Sequence, residues 1–214
     1  NGVSVRNTIS AIVGNGDNIY IASHEQGVFR YNVKTRQLFN NRLQGKPNAE
    51  GISISSDGRV WIGFYGGGLY YADANLRVLK PFTLVDGTLP FEHDIVSSVV
   101  EYAPGRLFVG SAHHGLSEID TQHNTITELV TKYSGNDIFV RQLSRKGDEI
   151  WAATEMGLYV YDVKTRGMQH FMYNPANPFS LSDNPLYCLY QDREGGMWIG
   201  SYFGGINYLP DTSQ

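Results

Sequence analysis

Apolar residues along this chain fall in short runs of about five positions, alternating or closed up, each broken by Gly, Asp, Asn or Pro. That is the period-2 signature of strands and leaves few stretches that read as helix. The segment from 139 to 172 shows the unit clearly. Phe139–Leu143 alternates as strand A, Arg145-Lys-Gly-Asp-Glu149 turns, Ile150–Thr154 is strand B, Leu158–Asp162 strand C and Met168–Met172 strand D.

The unit recurs with an aromatic, a small-residue tail and a Gly followed by an apolar residue. The copies are Tyr20-Ile-Ala-Ser with Gly27-Val28, Trp61-Ile-Gly-Phe with Gly68-Leu69, Phe108-Val-Gly-Ser with Gly115-Leu116, Trp151-Ala-Ala-Thr with Gly157-Leu158, and Trp198-Ile-Gly-Ser with Gly205-Ile206. The aromatics step by 41, 47, 43 and 47 residues and the glycines by 41, 47, 42 and 48. A period in this range built from short strands predicts propeller blades. A second landmark, Tyr31-Asn-Val-Lys-Thr-Arg36, returns as Tyr161-Asp-Val-Lys-Thr-Arg166 in the predicted C to D turn.

The predicted fold is therefore all-β, a β-propeller of four-stranded antiparallel blades. Five repeats of a larger propeller are expected, in one partial domain over 1–214, with blades at approximately 7–50, 51–92, 93–136, 137–182 and 183–214. The aromatic at the head of strand B is expected to fill the space between blades. The small residue two places later (Ala22, Gly63, Gly110, Ala153, Gly200) is expected where backbones crowd. The fifth repeat supplies strands A, B and C and ends at Pro210-Asp-Thr-Ser-Gln214 without strand D. Val3-Ser-Val5 could close it, or a parent chain continues. The absence of a signal peptide at Asn1 is read as the cut end of a fragment.

Composition narrows the function classes. A net charge of −4 and a pI near 5.8 argue against a binder of phosphate backbones, so no nucleic-acid partner is expected through this domain. No run approaches the roughly 18 apolar residues of a membrane helix, so no direct membrane insertion is expected. The lone Cys188 can form no internal disulfide and does not fix the compartment.

The last repeat carries a more specific signal: Asn177-Pro-Phe-Ser-Leu-Ser-Asp-Asn184, Leu186-Tyr-Cys-Leu-Tyr-Gln-Asp-Arg-Glu-Gly-Gly-Met-Trp-Ile-Gly-Ser201 and Gly204-Gly-Ile-Asn-Tyr208. It resembles the two-component regulator propeller repeat of the periplasmic sensor region of hybrid two-component histidine kinases from glycan-degrading gut bacteria. The resemblance implies two propellers, usually seven-bladed, then an immunoglobulin-like domain, a membrane helix, a kinase, a receiver and a DNA-binding domain. It further implies an oligosaccharide signal, a homodimer, and a periplasmic position in a parent protein anchored in the inner membrane. Seven blades of about 45 residues need roughly 315, so five repeats would be a piece of a ring.

Catalytic patterns are poor: the sequence has no Gly-x-Ser-x-Gly, His-Glu-x-x-His, P-loop or calcium-loop motif. His113 and His114 would point to opposite faces in a strand and could share a metal only in a loop; exposed loop histidines are the expected reading. No metal and no cofactor are expected.

In a four-stranded blade the B to C and D to A loops share one face. The first set collects His24, Glu25 and Gln26; Phe64 and Tyr65; His113 and His114; Glu155; and Tyr202 and Phe203. The second adds Arg6, Asn7, Asn48, Glu50, Glu92, His93, Asp94, Asn136, Asp137, Asp183 and Asn184. Aromatic faces beside amides and carboxylates suit a sugar; a polar rim without a ligand is the alternative for each residue. Arg141 stands ten positions before the strand B aromatic, level with Ser10, Ser98 and Cys188, where a cation needs water, a partner such as Asp137 or Glu155, or an acidic ligand. The candidate ligand-binding residues are Arg141, Tyr65, Tyr202, Phe203, His24, His113 and Glu155. Lys34, Arg36, Lys164 and Arg166 fall on the opposite face as solubilising turn residues.

The expected function is a non-enzymatic sensing module for a glycan-derived oligosaccharide, working with the remaining blades and downstream modules of a parent chain through altered propeller or protomer packing. A propeller polysaccharide lyase or hydrolase, or a protein-binding scaffold, is the alternative, since the fold hosts many chemistries.

Overall fold

The computed structural model describes residues 4–211. All regular structure among them is β, in five blade-like sheets, and none of it is a helix able to cross a membrane. The first sheet is β1 (Ile9–Asn15), β2 (Asn18–Ser23), β3 (Gly27–Asn32) and β4 (Gln37–Asn41). The second is β5 (Ala49–Ile54), β6 (Val60–Phe64), β7 (Gly68–Ala72) and β8 (Lys80–Pro81). The third is β9 (Val96–Ala103), β10 (Arg106–Ser111), β11 (Leu116–Asp120) and β12 (Thr125–Val130), followed by a small ladder of β13 (Lys132–Tyr133) and β14 (Asn136–Asp137). The fourth is β15 (Val140–Lys146), β16 (Glu149–Thr154), β17 (Gly157–Asp162) and β18 (Met168–Phe171). The fifth has only β19 (Leu186–Gln191), β20 (Met197–Ser201) and β21 (Ile206–Leu209). Each sheet is an antiparallel meander in chain order.

The described residues form two compact units: one runs to Val109 and takes in Glu118–Thr127, the other comprises Gly110–Ser117 and the chain from Glu128 onward. Val3 of the anticipated closing strand lies outside the described residues, and Ser4 and Val5 are not in a strand.

All five landmark aromatics lie on the second strand of their sheet. In the first unit Tyr20 joins Ala49, Val60 and Ile62 of the next blade in one buried cluster, and Trp61 joins Val96, Val99, Leu107 and Val109. In the second unit Trp151 joins Leu186, Leu189, Met197 and Ile199. The aromatic thus faces forward, onto the first two strands of the following blade. Each Trp is also tied to the turn before it: the indole N–H donates to Ser55 Oγ from Trp61 at 3.0 Å, to Glu149 Oε2 from Trp151 at 2.9 Å, and to Asp192 Oδ2 from Trp198 at 2.9 Å. Trp198, expected in the core with the others, is instead 42% exposed, because no described blade follows it.

The fourth strand region seals each seam from outside. Leu76 and Leu79 complete the cluster between the first two blades, and Ile126 of β12 completes the next. The fifth blade has no fourth strand among the described residues. The seam beneath it opens into a cavity of about 920 Å³ walled by Trp151, Leu158, Val160, Phe179, Ile199 and Leu209.

Two glycine positions show why small residues recur. A Cβ on Gly63 would stand 2.0 Å from the Val96 carbonyl oxygen of the next blade, so side chains are excluded by backbone. Gly157 opens β17 with a φ of 91°, and its Cβ would meet the Phe171 carbonyl oxygen at 2.3 Å. The duplicated six-residue turn has an equally local cause. Asn32 Oδ1 accepts the N–H groups of Lys34 and Thr35 at 3.1 and 2.9 Å, and Asp162 Oδ1 those of Lys164 and Thr165 at 2.9 and 2.8 Å. Arg36 and Arg166 then close the turns at φ 58° and 62°. The bonds from Thr165, ahead of that from Lys164, hold the Asp162 carboxyl below the usual carboxylate range. The turn lysines, anticipated as solubilising, are ion-paired within their blades: Lys34 with Asp17 at 2.8 Å and Lys164 with Asp148 at 2.6 Å.

Substituting Gly63→Ala should destabilise the fold by roughly 1–3 kcal/mol, the cost of forcing a seam apart. Gly14→Ala should fall within about 0.5 kcal/mol, because its Cβ would meet nothing closer than 4.0 Å. Urea melts of the two variants check the contrast; equal stabilities would show that the seam has room to give.

Candidate functional site

The first two strands of four blades share a local irregularity that shapes the same edge of each blade. Their ladders slip between Ile9 and Ala11, Ala49 and Gly51, Val140 and Gln142, and Leu186 and Cys188. Ser10, Glu50, Arg141 and Tyr187 are therefore the extra residues of β-bulges, which turn side chains out of the normal alternation. Arg141 is thus equivalent to Glu50 and Tyr187 as well as Ser10, and not to Cys188. Counting back ten positions fails because the A to B turn differs in length: Ser144 pairs with Trp151, whereas Tyr190 pairs with Trp198.

The residue after each second strand is the other half of this edge. His24, Tyr65, Glu155 and Tyr202 are equivalent, and each donates its backbone N–H to the residue just before the blade's first strand, namely Thr8, Asn48, Phe139 and Pro185, at 2.9–3.1 Å. The B to C turn is thereby pinned to the D to A loop, and a side chain at this position stands beside a bulge. In the third blade the position is held by Ala112, which is buried.

In the second unit these positions converge on aromatic and charged groups. Arg141 pairs with Glu155, and its guanidinium lies 3.9 Å from the Phe139 ring centroid and 5.5 Å from that of Tyr187. Tyr187 contacts Tyr202 at a centroid separation of 5.8 Å, and Tyr202 meets Phe203 edge-on at 4.6 Å. Tyr187, Tyr202 and Phe203 are 53%, 60% and 83% exposed. The turn holding them is braced by Asp183, whose Oδ2 accepts the Phe203 N–H at 3.2 Å. The result is a run of rings on the surface with a stacked, neutralised guanidinium at one end. Such a run offers flat apolar faces to C–H groups and a fork of N–H donors to oxygen.

His113 lies on the third blade's turn, in the same unit, with its Nδ1 3.1 Å from Asp137 Oδ2. Lys132 Nζ donates to Asp137 Oδ1 at 2.8 Å. Hydrogen bonds from Lys132, then from His113, hold the Asp137 carboxyl below its ordinary range.

In the first unit the bulge residue Glu50 pairs with His24 at 2.7 Å. A polar network surrounds them: Asn48 Oδ1 accepts the Glu25 N–H at 2.7 Å, Asn7 Nδ2 donates to Glu25 Oε2 at 2.8 Å, and Gln26 Oε1 accepts the Arg6 N–H at 2.7 Å. Tyr65 is 55% exposed. Among the described residues no group of three or more His, Cys, Asp and Glu side chains is placed to hold a metal ion.

Phe139 and Tyr187 belong to the cluster although sequence reasoning did not select them. Tyr187 sits in a strand, and nothing in the alternation announces the bulge that exposes it. A signal was available in the register itself: the fourth and fifth repeats place Arg141 and Tyr187 directly after the first residue of the first strand, Val140 and Leu186.

Comparison with known proteins agrees with this architecture. A family model described as two component regulator propeller matches residues 180–203. No curated protein matches the chain. Among solved structures, the extracellular domain of BT4673 from B. thetaiotaomicron, assigned as a one-component system, superimposes with a TM-score of 0.82 at 19% identity, covering 99% of this chain and 28% of that one. The extracellular domain of BT3049 from B. thetaiotaomicron, assigned as a hybrid two-component system, gives 0.66 at 19% identity, covering 99% and 35%. PorZ, a surface component of the type-IX secretion system of Porphyromonas gingivalis, gives 0.70 at 14% identity, covering 94% and 32%. The chain spans about a third or less of these proteins. At such identities the likeness establishes the fold: a β-propeller domain resembling the extracellular domains of signalling proteins.

Asp137 should titrate below a free aspartate. Its contribution to stability is present above the carboxylate's unfolded pKa and fades as the pH falls through the depressed folded value. Carboxyl chemical shifts followed by NMR should show Lys132→Met returning Asp137 toward the ordinary range by more than His113→Asn does. The reverse order would mean that the histidine is the stronger partner.

Proposed function

We propose that this domain is the ligand-receiving part of an extracytoplasmic sensor of the two-component type, binding a glycan-derived oligosaccharide at the surface formed by the bulges and the B to C turns. The carrying observation is the exposed run Arg141–Tyr187–Tyr202–Phe203, with Phe139 and Glu155 behind it. A sugar ring presents an apolar C–H patch flanked by hydroxyls. Tyr202 and Phe203 would stack against the patch, while Arg141, Glu155 and the neighbouring Asp183 would bond the hydroxyls. His113 lies in the same unit as this run, and Tyr65 and His24 occupy the related turn positions of the first unit, where they would make saccharide contacts of their own.

Binding fits these groups better than catalysis. Glu155 is held in an ion pair with Arg141, so its carboxylate is engaged with a guanidinium instead of facing a second carboxylate as an acid–base pair would. The likeness to the extracellular domains of BT4673 and BT3049 supports a position outside the cytoplasm, within a longer parent protein; its anchoring in the inner membrane and its working as a homodimer are part of what we propose. Occupancy would be transmitted by altered packing of this propeller against its neighbours in the parent chain or in a second protomer.

Calorimetry with a panel of oligosaccharides should give saturable binding that weakens by roughly 1–3 kcal/mol in Arg141→Gln and in Tyr202→Ala, the cost of losing a hydrogen bond to a charged group or a stacking face. Lys34→Ala and Lys164→Ala, in the C to D turns, should bind like the parent. The panel should emerge without new reducing ends or unsaturated products. Degradation of a saccharide, or loss of binding only in the lysine variants, would overturn the reading.

A further inference from the structure

A guanidinium at the bulge of the fourth blade needs water, a partner carboxylate or an acidic ligand, and in the structure the partner is Glu155. The pair is built within one blade, away from either end of the chain: Arg141 is the bulge residue of β15, and Glu155 directly follows β16. The Glu155 N–H donates to the Phe139 carbonyl at 3.1 Å, which holds the carboxylate beside the bulge. The Phe139 ring lies against the guanidinium with its centroid 3.9 Å away, so the N–H donors of Arg141 work in the plane of the group. The two side chains are 30% and 47% exposed, and both can reach a ligand.

The neighbouring charges are arranged in the same sense. Lys132, on the hairpin that precedes the blade, is held by Asp137 at 2.8 Å. Asp183 accepts the N–H groups of Asn184 and Phe203 at 2.9 and 3.2 Å, which leaves its negative charge beside the exposed rings. Arg141 and Lys132 are thus two cations set against three carboxylates, those of Glu155, Asp137 and Asp183. A sugar hydroxyl suits such a surface, because it donates to a carboxylate and accepts from a guanidinium at once. A ligand carboxylate only accepts; it meets a guanidinium already engaged and a like charge next to it.

We propose that Glu155 makes this site selective for uncharged saccharides. By holding Arg141 it occupies the donor fork that would pair with a ligand carboxylate, and its own charge repels one. The inference rests on the saccharide reading above and adds to it the class of sugar. Because the pair is partly solvated, the discrimination is moderate and is screened by salt.

Calorimetry of the 214-residue chain with cellotetraose, mannotetraose and galactotetraose, each beside the same sugar oxidised at its primary hydroxyls to the uronate, tests this. The uncharged member of a bound pair should be preferred about fivefold, and the preference should shrink as salt is raised. Glu155→Gln should tighten uronate binding about fivefold, a gain that a merely damaged site does not produce. In the double variant Arg141→Gln with Glu155→Gln the gain should vanish, since the released guanidinium carries it. Thermal melts show that the variants remain folded, and the preference and salt response of the parent chain test the claim without them. Uronates bound by the parent chain as tightly as the uncharged sugars, or no gain in a folded Glu155→Gln, would overturn the inference and leave the saccharide reading standing. If no member of any pair binds, the saccharide reading falls and the inference falls with it.

Discussion

A large aromatic side chain on the second strand of one blade, pressed against the first two strands of the next, holds sheets together that share no hydrogen-bond ladder. Every named strand pairs only within its own sheet, so cohesion between neighbouring sheets comes from side-chain burial at the seams, supplemented by single hydrogen bonds such as Tyr20 Oη to the Ala74 carbonyl at 2.7 Å and the Leu189 N–H to Gln142 Oε1 at 2.8 Å. Tyr20, Trp61 and Trp151 each centre a cluster fed by two blades. The small residue two places after the aromatic follows from the same contact. At Gly63 and Gly110 any side chain would run into Val96 or Val140 of the following blade. Stability is then assembled from nearest-neighbour interfaces, as in other repeat architectures.

The same construction makes the burial of an aromatic the property of a pair of blades. Trp198 has the sequence context of Trp61 and the same bond to its turn, yet it lies partly in solvent because burial is supplied by the next blade and not by its own. Leu76, Leu79 and Ile126 show that the fourth-strand region closes a seam from outside.

The surface assigned to ligand binding is a by-product of how the first strand enters each sheet. A bulge after its first residue turns one side chain toward the B to C turn, and the turn's backbone N–H is spent on the preceding loop, which fixes the next side chain beside it. Identity at these two places differs from blade to blade: Ser, Glu, Arg and Tyr occupy the bulges and His, Tyr, Glu and Tyr the turns, and several reach the adjacent blade by polar contacts, Ser10 to the Ala49 carbonyl and Glu50 to His24. Variable residues on an invariant frame are how one propeller architecture serves unrelated roles, so the functional reading rests on the Arg141 cluster and not on the fold.

The sequence by itself determined the number of repeats, the strand type and the landmark positions, because a period of roughly 40–50 residues, the seam aromatics and the Asx turns are each imposed by local or nearest-neighbour physics. His24, Tyr65, Glu155 and Tyr202 were reachable from it too, since they follow a strand whose end the repeat marks. Arg141 was picked out for its charge, but its equivalents were misaligned by one residue where turns differ in length. Only the tertiary structure decided that Tyr187 leaves the strand alternation, that Phe139 backs the Arg141 guanidinium and that Trp198 is partly in solvent. A bulge is a ladder irregularity with no composition of its own, and burial belongs to a pair of blades, so neither can be read from the residues of one strand.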